Sequence, residues 1–278
     1  MWRHKVTQPD IENGPSLRGE DLIDHFPLSL TENISNLDTS KYLVGGVYTM
    51  PHAAISWTLQ DYLRAIYTLE KEAGDISTSL LAERLGVTQP SVTSMLKKLA
   101  ARKLISYTPY LSIALTISGE RLALEIVRHH RLIEAFLQKA LGYGLEELHD
   151  EAERLEHAIS EKFEDRIDEF LGHPVFDPHG SPIPDKAGRI RDRDLVPLAS
   201  LREGETAVVS QITCRDSGQL RYIESIGLIP GETVSIEGTD SGRGVLRLRL
   251  SSGEEEPVGE SIACCVLVTR DRNSSAKG

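Results

Sequence analysis

One stretch of the sequence decides how the first folded part of the chain is built: residues 81–99 read LAERLGVTQPSVTSMLKKL. A short helix ends at Gly86, and Thr88 can cap a new helix with Pro90 near its first turn, where a missing N–H costs nothing. A short helix, a tight glycine turn and a second helix are typical of a helix-turn-helix, whose second helix enters the major groove of DNA.

The outer face of the second helix is small, polar and basic, whereas Val92, Met95, Leu96 and Leu99 face inward. The candidate DNA-binding residues are Thr88, Gln89, Pro90, Ser91, Thr93, Ser94, Lys97 and Lys98. Two short β-type runs, LISYTP and SIALTI, follow and predict a wing. Any three-helix packing unit can contain a helix–glycine–helix step, but the polar face and the wing favour DNA binding.

A second informative stretch, residues 130–157, reads HRLIEAFLQKALGYGLEELHDEAERLEH. Its imidazoles and carboxylates recur at helical steps of four, three and one: His130 with Glu134, then His149, Glu153, Glu156 and His157. Such steps bring side chains to one helix face, where they repel unless a cation lies among them. Imidazole nitrogen and carboxylate oxygen suit manganese, iron, cobalt and zinc. A solvated acidic face is the alternative for any one of these residues alone.

Composition limits the class of protein. The chain has 278 residues, 40% hydrophobic and 26% charged, which is ordinary for a soluble protein with two or three domains. A net charge of −11 argues against a wholly basic nucleic-acid coat and makes cation binding attractive. No apolar run could span a bilayer, no secretory signal is visible, and the three cysteines form no recognisable metal or disulfide pattern. We therefore expect a cytoplasmic protein.

The pattern of the sequence divides the chain into six parts. They are a disordered extension or misassigned start (1–55), a winged helix-turn-helix domain (56–118), a helical metal-binding and dimerisation domain (119–172), a Pro/Gly-rich linker (173–194), a small β domain (195–270) and a tail (271–278).

Several motifs in this order resemble the diphtheria toxin repressor and manganese transport regulator family of metal-dependent winged-helix repressors. They are YLRAIYTLE, the helix-turn-helix stretch, HHRLIEAFL, LHDEAERLEH and DPHGSPIP, while LREGETAVV and IGLIPGETV resemble the FeoA-like β-barrel of longer members. The resemblance implies a mainly α fold with small β parts, and a homodimer that binds a palindromic DNA operator. It also implies repression of metal-uptake genes when a divalent cation is bound.

The resemblance also implies two metal sites. The family's primary site corresponds to Asp61, Glu153, Glu156 and His157, and its ancillary site to His130, Glu134 and His149. Iron-dependent members carry Met and Cys where Asp61 and Glu153 stand, so the hard carboxylates favour Mn²⁺ over Fe²⁺. Arg64 stands where short manganese regulators carry a Glu, so two separate ions per protomer are expected rather than a dinuclear pair.

Further expectations can be tested by the structure. Without metal, the carboxylates of the primary site should repel one another and loosen the first helix. His129 is expected on the surface, His173 and His179 in turns, and Cys264 and Cys265 in a β-strand, while Gln211 falls near an ancillary ligand position. An iron-dependent repressor and a di-metal carboxylate enzyme are the alternative functions.

Overall fold

The structure is a computed structural model that describes residues 43–44, 47–48, 56–108, 112–240 and 242–271. The described residues divide into two units, one before residue 50 and one after it. In the first unit, β1 (Leu43–Val44) pairs antiparallel with β2 (Val47–Tyr48). The predicted disorder of residues 1–55 and of the C-terminal tail falls almost wholly outside the described residues.

The second unit begins with the expected winged helix. Its elements are α1 (Trp57–Ala73), α2 (Thr78–Leu85), α3 (Gln89–Ala101), β3 (Ile105–Thr108) and β4 (Ser112–Leu115). Gly86 ends α2 in the left-handed conformation, and the Thr88 hydroxyl caps α3 by accepting from the Ser91 N–H. Of the residues predicted to face inward, Val92, Leu96 and Leu99 are fully buried, and Met95 is partly buried against the same core.

Three helices follow the wing and carry the histidine-rich stretch. They are α4 (Ile117–Phe136), α5 (Leu145–Glu156) and α6 (Glu161–Leu171), and a single π-helical turn, Leu137–Leu141, extends α4. Helix α4 packs against α1, α5 and α6, so it is the common wall of the helical part. Gly119 lets α4 approach the wing, because a Cβ there would lie 1.8 Å from the Leu104 carbonyl oxygen.

The C-terminal part forms a six-stranded antiparallel sheet. Its elements are β5 (Val196–Pro197), a 3₁₀ turn (Leu198–Ser200), β6 (Thr206–Ile212), α7 (Ser217–Ser225), β7 (Thr233–Asp240), β8 (Val245–Leu250), β9 (Glu255–Gly259), α8 (Glu260–Cys265) and β10 (Val266–Arg270). The strand order is β5-β10-β6-β7-β8-β9. Its core is continuous with Leu145, Leu148 and Ala152 of α5, so the sheet domain covers the apolar face of that helix.

The cysteines depart from prediction in two ways. Residues 260–265 form α8 rather than a strand, so Cys264 and Cys265 lie on a helix. Cys265 is joined to Cys214 by a disulfide with Cα atoms 5.2 Å apart, whereas Cys264 is free and exposed. The expectation that the cysteines form no disulfide is therefore wrong, because the fold brings together two residues that are 51 positions apart.

The segment between the helical and sheet parts is held in place along its length. Gly180 adopts φ +82°, and a Cβ there would lie 2.1 Å from the Ser210 carbonyl oxygen of β6. The Ile212 N–H donates to the His179 carbonyl, and Ile183 is buried against α4 and α6. Within the described residues, no helix has the length and apolar character needed to cross a membrane.

Candidate metal centre

One face of α1 points toward the end of α5, where His157 lies. Trp57, Gln60, Asp61 and Arg64 share this face because they are spaced three, one and three residues apart. The Trp57 ring stacks on the His157 ring with centroids 5.3 Å apart and an interplanar angle of 11°. The first helix thus supplies a stacking ring, an amide, a carboxylate and a guanidinium to one region.

Asp61, Glu156 and His157 form the first cluster, with their candidate ligand atoms all within 4.8 Å of one another. His157 Nε2 lies 3.1 Å from Asp61 Oδ1 and 3.7 Å from Glu156 Oε1. Both of these oxygen atoms are buried and accept no hydrogen bond within the described part of the chain. A buried acceptor without a partner is costly, so these two oxygens fit a bound cation.

The tautomer of His157 follows from its neighbour Gln60. His157 Nδ1 lies 2.9 Å from Gln60 Oε1, which can only accept, so Nδ1 carries the hydrogen and donates it. Neutral His157 then has its lone pair on Nε2, which faces Asp61 and Glu156. A histidine held in this way through its other nitrogen is typical of a metal ligand. Gln60 was not predicted as a site residue. In the sequence, only its position beside Asp61 on the same helix face could have indicated this role.

Glu153, the fourth residue expected at the primary site, lies apart from this cluster. Its Oε1 accepts a hydrogen bond of 2.8 Å from Arg64 Nη2, and its side chain is 45% exposed. The same Nη2 lies 3.6 Å from Glu156 Oε1. Burial raises the pKa of Asp61, the charges of His157 and Arg64 lower it, and those of Glu156 and Glu153 raise it. The predicted repulsion between these carboxylates is therefore present, and Arg64 offsets part of it.

His130, Glu134 and His149 form the second cluster, which corresponds to the predicted ancillary site. His130 Nε2 lies 3.1 Å from Glu134 Oε1 and 3.1 Å from His149 Nδ1. Burial disfavours a charge on His130, but the negative charge of Glu134 and the hydrogen bonds that Glu134 and Glu156 accept from the ring outweigh burial and raise the pKa of His130 to about 9.

His130 also joins the two clusters. Its Nδ1 lies 2.6 Å from Glu156 Oε2, so a hydrogen on Nδ1 is donated to the carboxylate whose other oxygen belongs to the first cluster. Burial alone would raise the pKa of Glu156, but this hydrogen bond and the positive charges of His130 and Arg64 lower it. Glu156 is therefore an anion within reach of both clusters.

A third group, Glu134, Asp177 and His179, shares Glu134 with the second cluster. Burial, reinforced by the charge of Glu134, raises the pKa of Asp177 to about 6. His179 Nε2 lies 3.2 Å from the Leu145 carbonyl oxygen, to which it can donate. The sequence predicts His179 only in a turn. The DPHG motif is recognisable in the sequence, but the approach of His179 to Glu134 depends on how this segment packs on β6.

One other predicted position differs. His129 is 1% exposed rather than on the surface, because α6 covers that face of α4 and Glu164 Oε2 lies 2.5 Å from its Nε2. Gln211 donates from its amide to the Ser181 hydroxyl. His173 is exposed and lies near Asp168, as a turn residue would.

The predicted DNA-binding face is largely accessible. Seven of its residues are exposed: Thr88, Gln89, Pro90, Ser91, Ser94, Lys97 and Lys98. Thr93 is half-buried, and its hydroxyl donates to the Gln89 carbonyl. The predicted DNA-binding face is therefore most exposed in the first turn of α3 and at the two lysines.

Three protein-family models together match most of the chain between residues 55 and 270. Residues 55–113 match the model described as "Iron dependent repressor, N-terminal DNA binding domain". Residues 116–185 match "Iron dependent repressor, metal binding and dimerisation domain". Residues 196–270 match the FeoA domain.

Individual proteins show the same likeness. The iron-dependent repressor IdeR of Mycobacterium tuberculosis is 33% identical over 200 residues, which cover 66% of this chain and 86% of that protein. The diphtheria toxin repressor of Corynebacterium efficiens is 33% identical over 189 residues, covering 64% and 82%. These relatives are repressors and not enzymes, so the di-metal carboxylate enzyme is rejected.

Solved structures agree on the fold. A manganese-dependent transcriptional repressor in complex with manganese has a TM-score of 0.72 and 38% identity, with 77% of this chain and 100% of that chain covered. IdeR of T. acidophilum has a TM-score of 0.63 and 29% identity, with coverages of 76% and 97%.

Proposed function

The chain belongs to the family of metal-dependent iron and manganese repressors and is a metal-dependent transcriptional repressor; from this premise, we propose that Mn²⁺ is its activating ion. The main support is a pair of buried oxygens, Asp61 Oδ1 and Glu156 Oε1, which accept no hydrogen bond within the described residues. Both lie close to His157 Nε2. Carboxylate oxygens and imidazole are a hard donor set that suits Mn²⁺, and this cluster contains no thiolate or thioether.

The residues that would hold the ions are those of the two joined clusters. Asp61, Glu156 and His157 would form the primary site, with Glu153 one helical turn before His157 as a further ligand. His130, Glu134 and His149 would form the ancillary site, giving two ions per protomer. A bound divalent cation supplies the positive charge that balances the buried carboxylates.

Asp61 is the residue that connects metal sensing to DNA reading. It lies on α1, which packs against α2 and α4, whereas the other primary ligands lie on or directly after α5. Gln60 and Trp57 reach His157 from the same helix. The position of α1 thus influences the winged helix, and the spacing of two such units must match successive half-sites of a palindromic operator.

The spacing of two winged helices requires two protomers, so we expect a homodimer. The apolar residues Leu122, Ile126 and Ile133 of α4 are buried within the protomer. Phe163 and Phe170 of α6 instead expose 48% and 60% of their surface, and this face supports the proposed dimer contact.

The test uses Asp61→Ala in a gel-shift assay on a palindromic promoter fragment titrated with Mn²⁺, Fe²⁺, Zn²⁺ and Co²⁺. Wild-type protein should respond best to Mn²⁺, and the variant should lose the Mn²⁺-dependent rise in DNA affinity. Asp165→Ala, an exposed aspartate paired with Lys186, is the matched control and should respond like wild type. Full Mn²⁺-dependent binding by Asp61→Ala would refute coupling through α1.

An iron-dependent repressor is the second candidate, favoured by the names of the curated relatives. A stronger wild-type response to Fe²⁺ than to Mn²⁺ in the same anaerobic titration would favour it. The same outcome would contradict the argument from hard ligands.

A further inference from the structure

Arg64 occupies a central place among the candidate ligands. Its Nη2 donates to Glu153 Oε1 at 2.8 Å and lies 3.6 Å from Glu156 Oε1. Its Nη1 lies 3.1 Å from Nδ1 and 3.3 Å from Nε2 of the His130 ring. The side chain is 13% exposed, so the guanidinium is packed between α1, α4 and α5 rather than extended into solvent.

All three of these partners belong to the proposed metal sites. Glu156 Oε1 is one of the buried oxygens of the first cluster, and Glu153 is the further ligand proposed for the primary site. His130 belongs to the second cluster. An arginine stays protonated at any physiological pH, so its charge is always present there. In the metal-free protein, Arg64 therefore offsets part of the negative charge that a metal ion would otherwise offset.

We propose that Arg64 is a built-in competitor of the divalent cation, holding Glu153 and Glu156 in the metal-free protein and thereby raising the metal concentration needed to fill the primary site. This inference rests on the proposed function, because it assumes that Glu153 and Glu156 are ligands. Glu153 can serve as a ligand through Oε1 only after Arg64 releases it.

The physical basis is repulsion between two cations that share the same carboxylates. A guanidinium and a divalent ion a few ångströms apart, in a site mostly removed from solvent, each weaken the binding of the other. Arg64 also stabilises the metal-free protein, because its hydrogen bond to Glu153 joins α1 to α5 without metal. Removing its charge should therefore strengthen metal binding and weaken the metal-free fold together, a combination that a purely structural arginine would not produce.

The experiment measures Mn²⁺ binding to the full chain by following the electron paramagnetic resonance signal of free Mn²⁺, without DNA. Arg64→Gln should bind Mn²⁺ on the order of tenfold more tightly than wild type. The melting temperature of the chelator-treated variant should fall by about 3 °C. Arg84→Gln, which removes an arginine paired with Glu72 outside the clusters, is the matched control and should leave the Mn²⁺ affinity unchanged.

Arg64→Lys provides a second test if the glutamine variant does not fold. Lysine keeps the charge, but its single ammonium cannot contact Glu153 and the His130 ring together, so Mn²⁺ affinity should rise by about threefold. In the background of Glu153→Gln, the effect of Arg64→Gln should shrink, because the shared carboxylate is gone.

Unchanged or weaker Mn²⁺ binding by both Arg64 variants would overturn the inference. Failure of the proposed function looks different: wild-type protein would bind no Mn²⁺, or Asp61→Ala would bind it as tightly as wild type. The two failures can therefore be distinguished in one set of titrations.

Discussion

His129 and His130 are neighbours in the sequence, and both are buried against glutamates, yet their surroundings differ in kind. His129 faces α6, where Glu164 also accepts a 2.6 Å hydrogen bond from Arg128 Nε, and Arg128 pairs with Asp168 at 2.9 Å. His130 faces α1 and α5, in a region where Asp61 Oδ1 and Glu156 Oε1 accept no hydrogen bond within the described residues.

This difference shows what distinguishes a cluster of ion pairs from a candidate metal centre. In the α4–α6 cluster, formed by Arg128, His129, Glu164 and Asp168, an arginine supplies hydrogen bonds and charge to the buried carboxylate. The α1–α5 cluster is formed by Asp61, Arg64, Glu153, Glu156 and His157. In it, Arg64 donates a hydrogen bond to Glu153 and only approaches Glu156. His129, Glu161 and Glu164 also lie close enough together to hold an ion. The buried acceptors without partners, rather than the residue types, therefore indicate where a cation fits.

The largest expected effect breaks the α4–α6 cluster. Glu164→Ala leaves Arg128 and His129 buried without their main partner and should lower the free energy of unfolding by about 3 kcal/mol. Urea denaturation with and without Mn²⁺ would measure it, and the added stability from Mn²⁺ should equal that of wild type. Glu169→Ala, which removes an exposed partner of Arg166 on the same helix, should change stability by about 0.5 kcal/mol or less. Loss of the Mn²⁺ response in Glu164→Ala would mean that the two clusters are not independent.

The next effect concerns the α1–α5 cluster alone. Gln60→Met fills a similar volume but cannot accept the hydrogen of His157 Nδ1, so Mn²⁺ affinity should fall by about ten- to a hundredfold. Gln60→Glu restores an acceptor and should recover the affinity, as measured by calorimetric titration. If methionine and glutamate bind Mn²⁺ equally well, Gln60 does not orient His157.

The pH dependence distinguishes the two histidines. The folded-state pKa of His130, about 9, lies above its unfolded value of 6.5, so its protonation stabilises the metal-free protein fully below pH 6.5. This stability is lost as the pH rises through about 9. Metal binding at Nε2 requires loss of the proton, so Mn²⁺ affinity should rise by up to about tenfold per pH unit between pH 7 and 8.5.

His129→Gln should keep this slope, because His129 lies in the other cluster, whereas His130→Gln should remove it. Calorimetric titrations at three pH values would measure the slopes. A wild-type affinity that is independent of pH would show that no proton leaves His130 when the metal binds.

The smallest expected effect tests ligand hardness. Glu153→Cys replaces an oxygen with a thiolate, and the preference for Co²⁺ or Fe²⁺ over Mn²⁺ in gel-shifts should increase by about three- to tenfold. Asp150→Cys, at an exposed position of α5, controls for a new thiol on that helix. An unchanged ranking of metals would show that Glu153 is not a primary ligand.

Much of this arrangement was predictable because it depends on local periodicity. The helix-turn-helix follows from Gly86, Thr88 and the apolar spacing of α3, and the ligand stripe follows from steps of three and four residues on α4 and α5. Such features need only backbone geometry and helix propensity, both of which are encoded over a few residues. The sequence also indicated the kind of chemistry, since hard oxygen and imidazole donors favour a divalent cation.

Tertiary packing decided the rest, because it depends on which distant surfaces meet. Burial of His129 requires α6 to cover α4, and the Cys214–Cys265 disulfide joins the end of β6 to α8. Arg64 lies between the His130 ring and Glu153, which are 66 and 89 positions away from it in the sequence, respectively. Periodicity shows which face of a helix a side chain occupies, but only the packed chain determines whether that face meets solvent, a metal ion or an arginine.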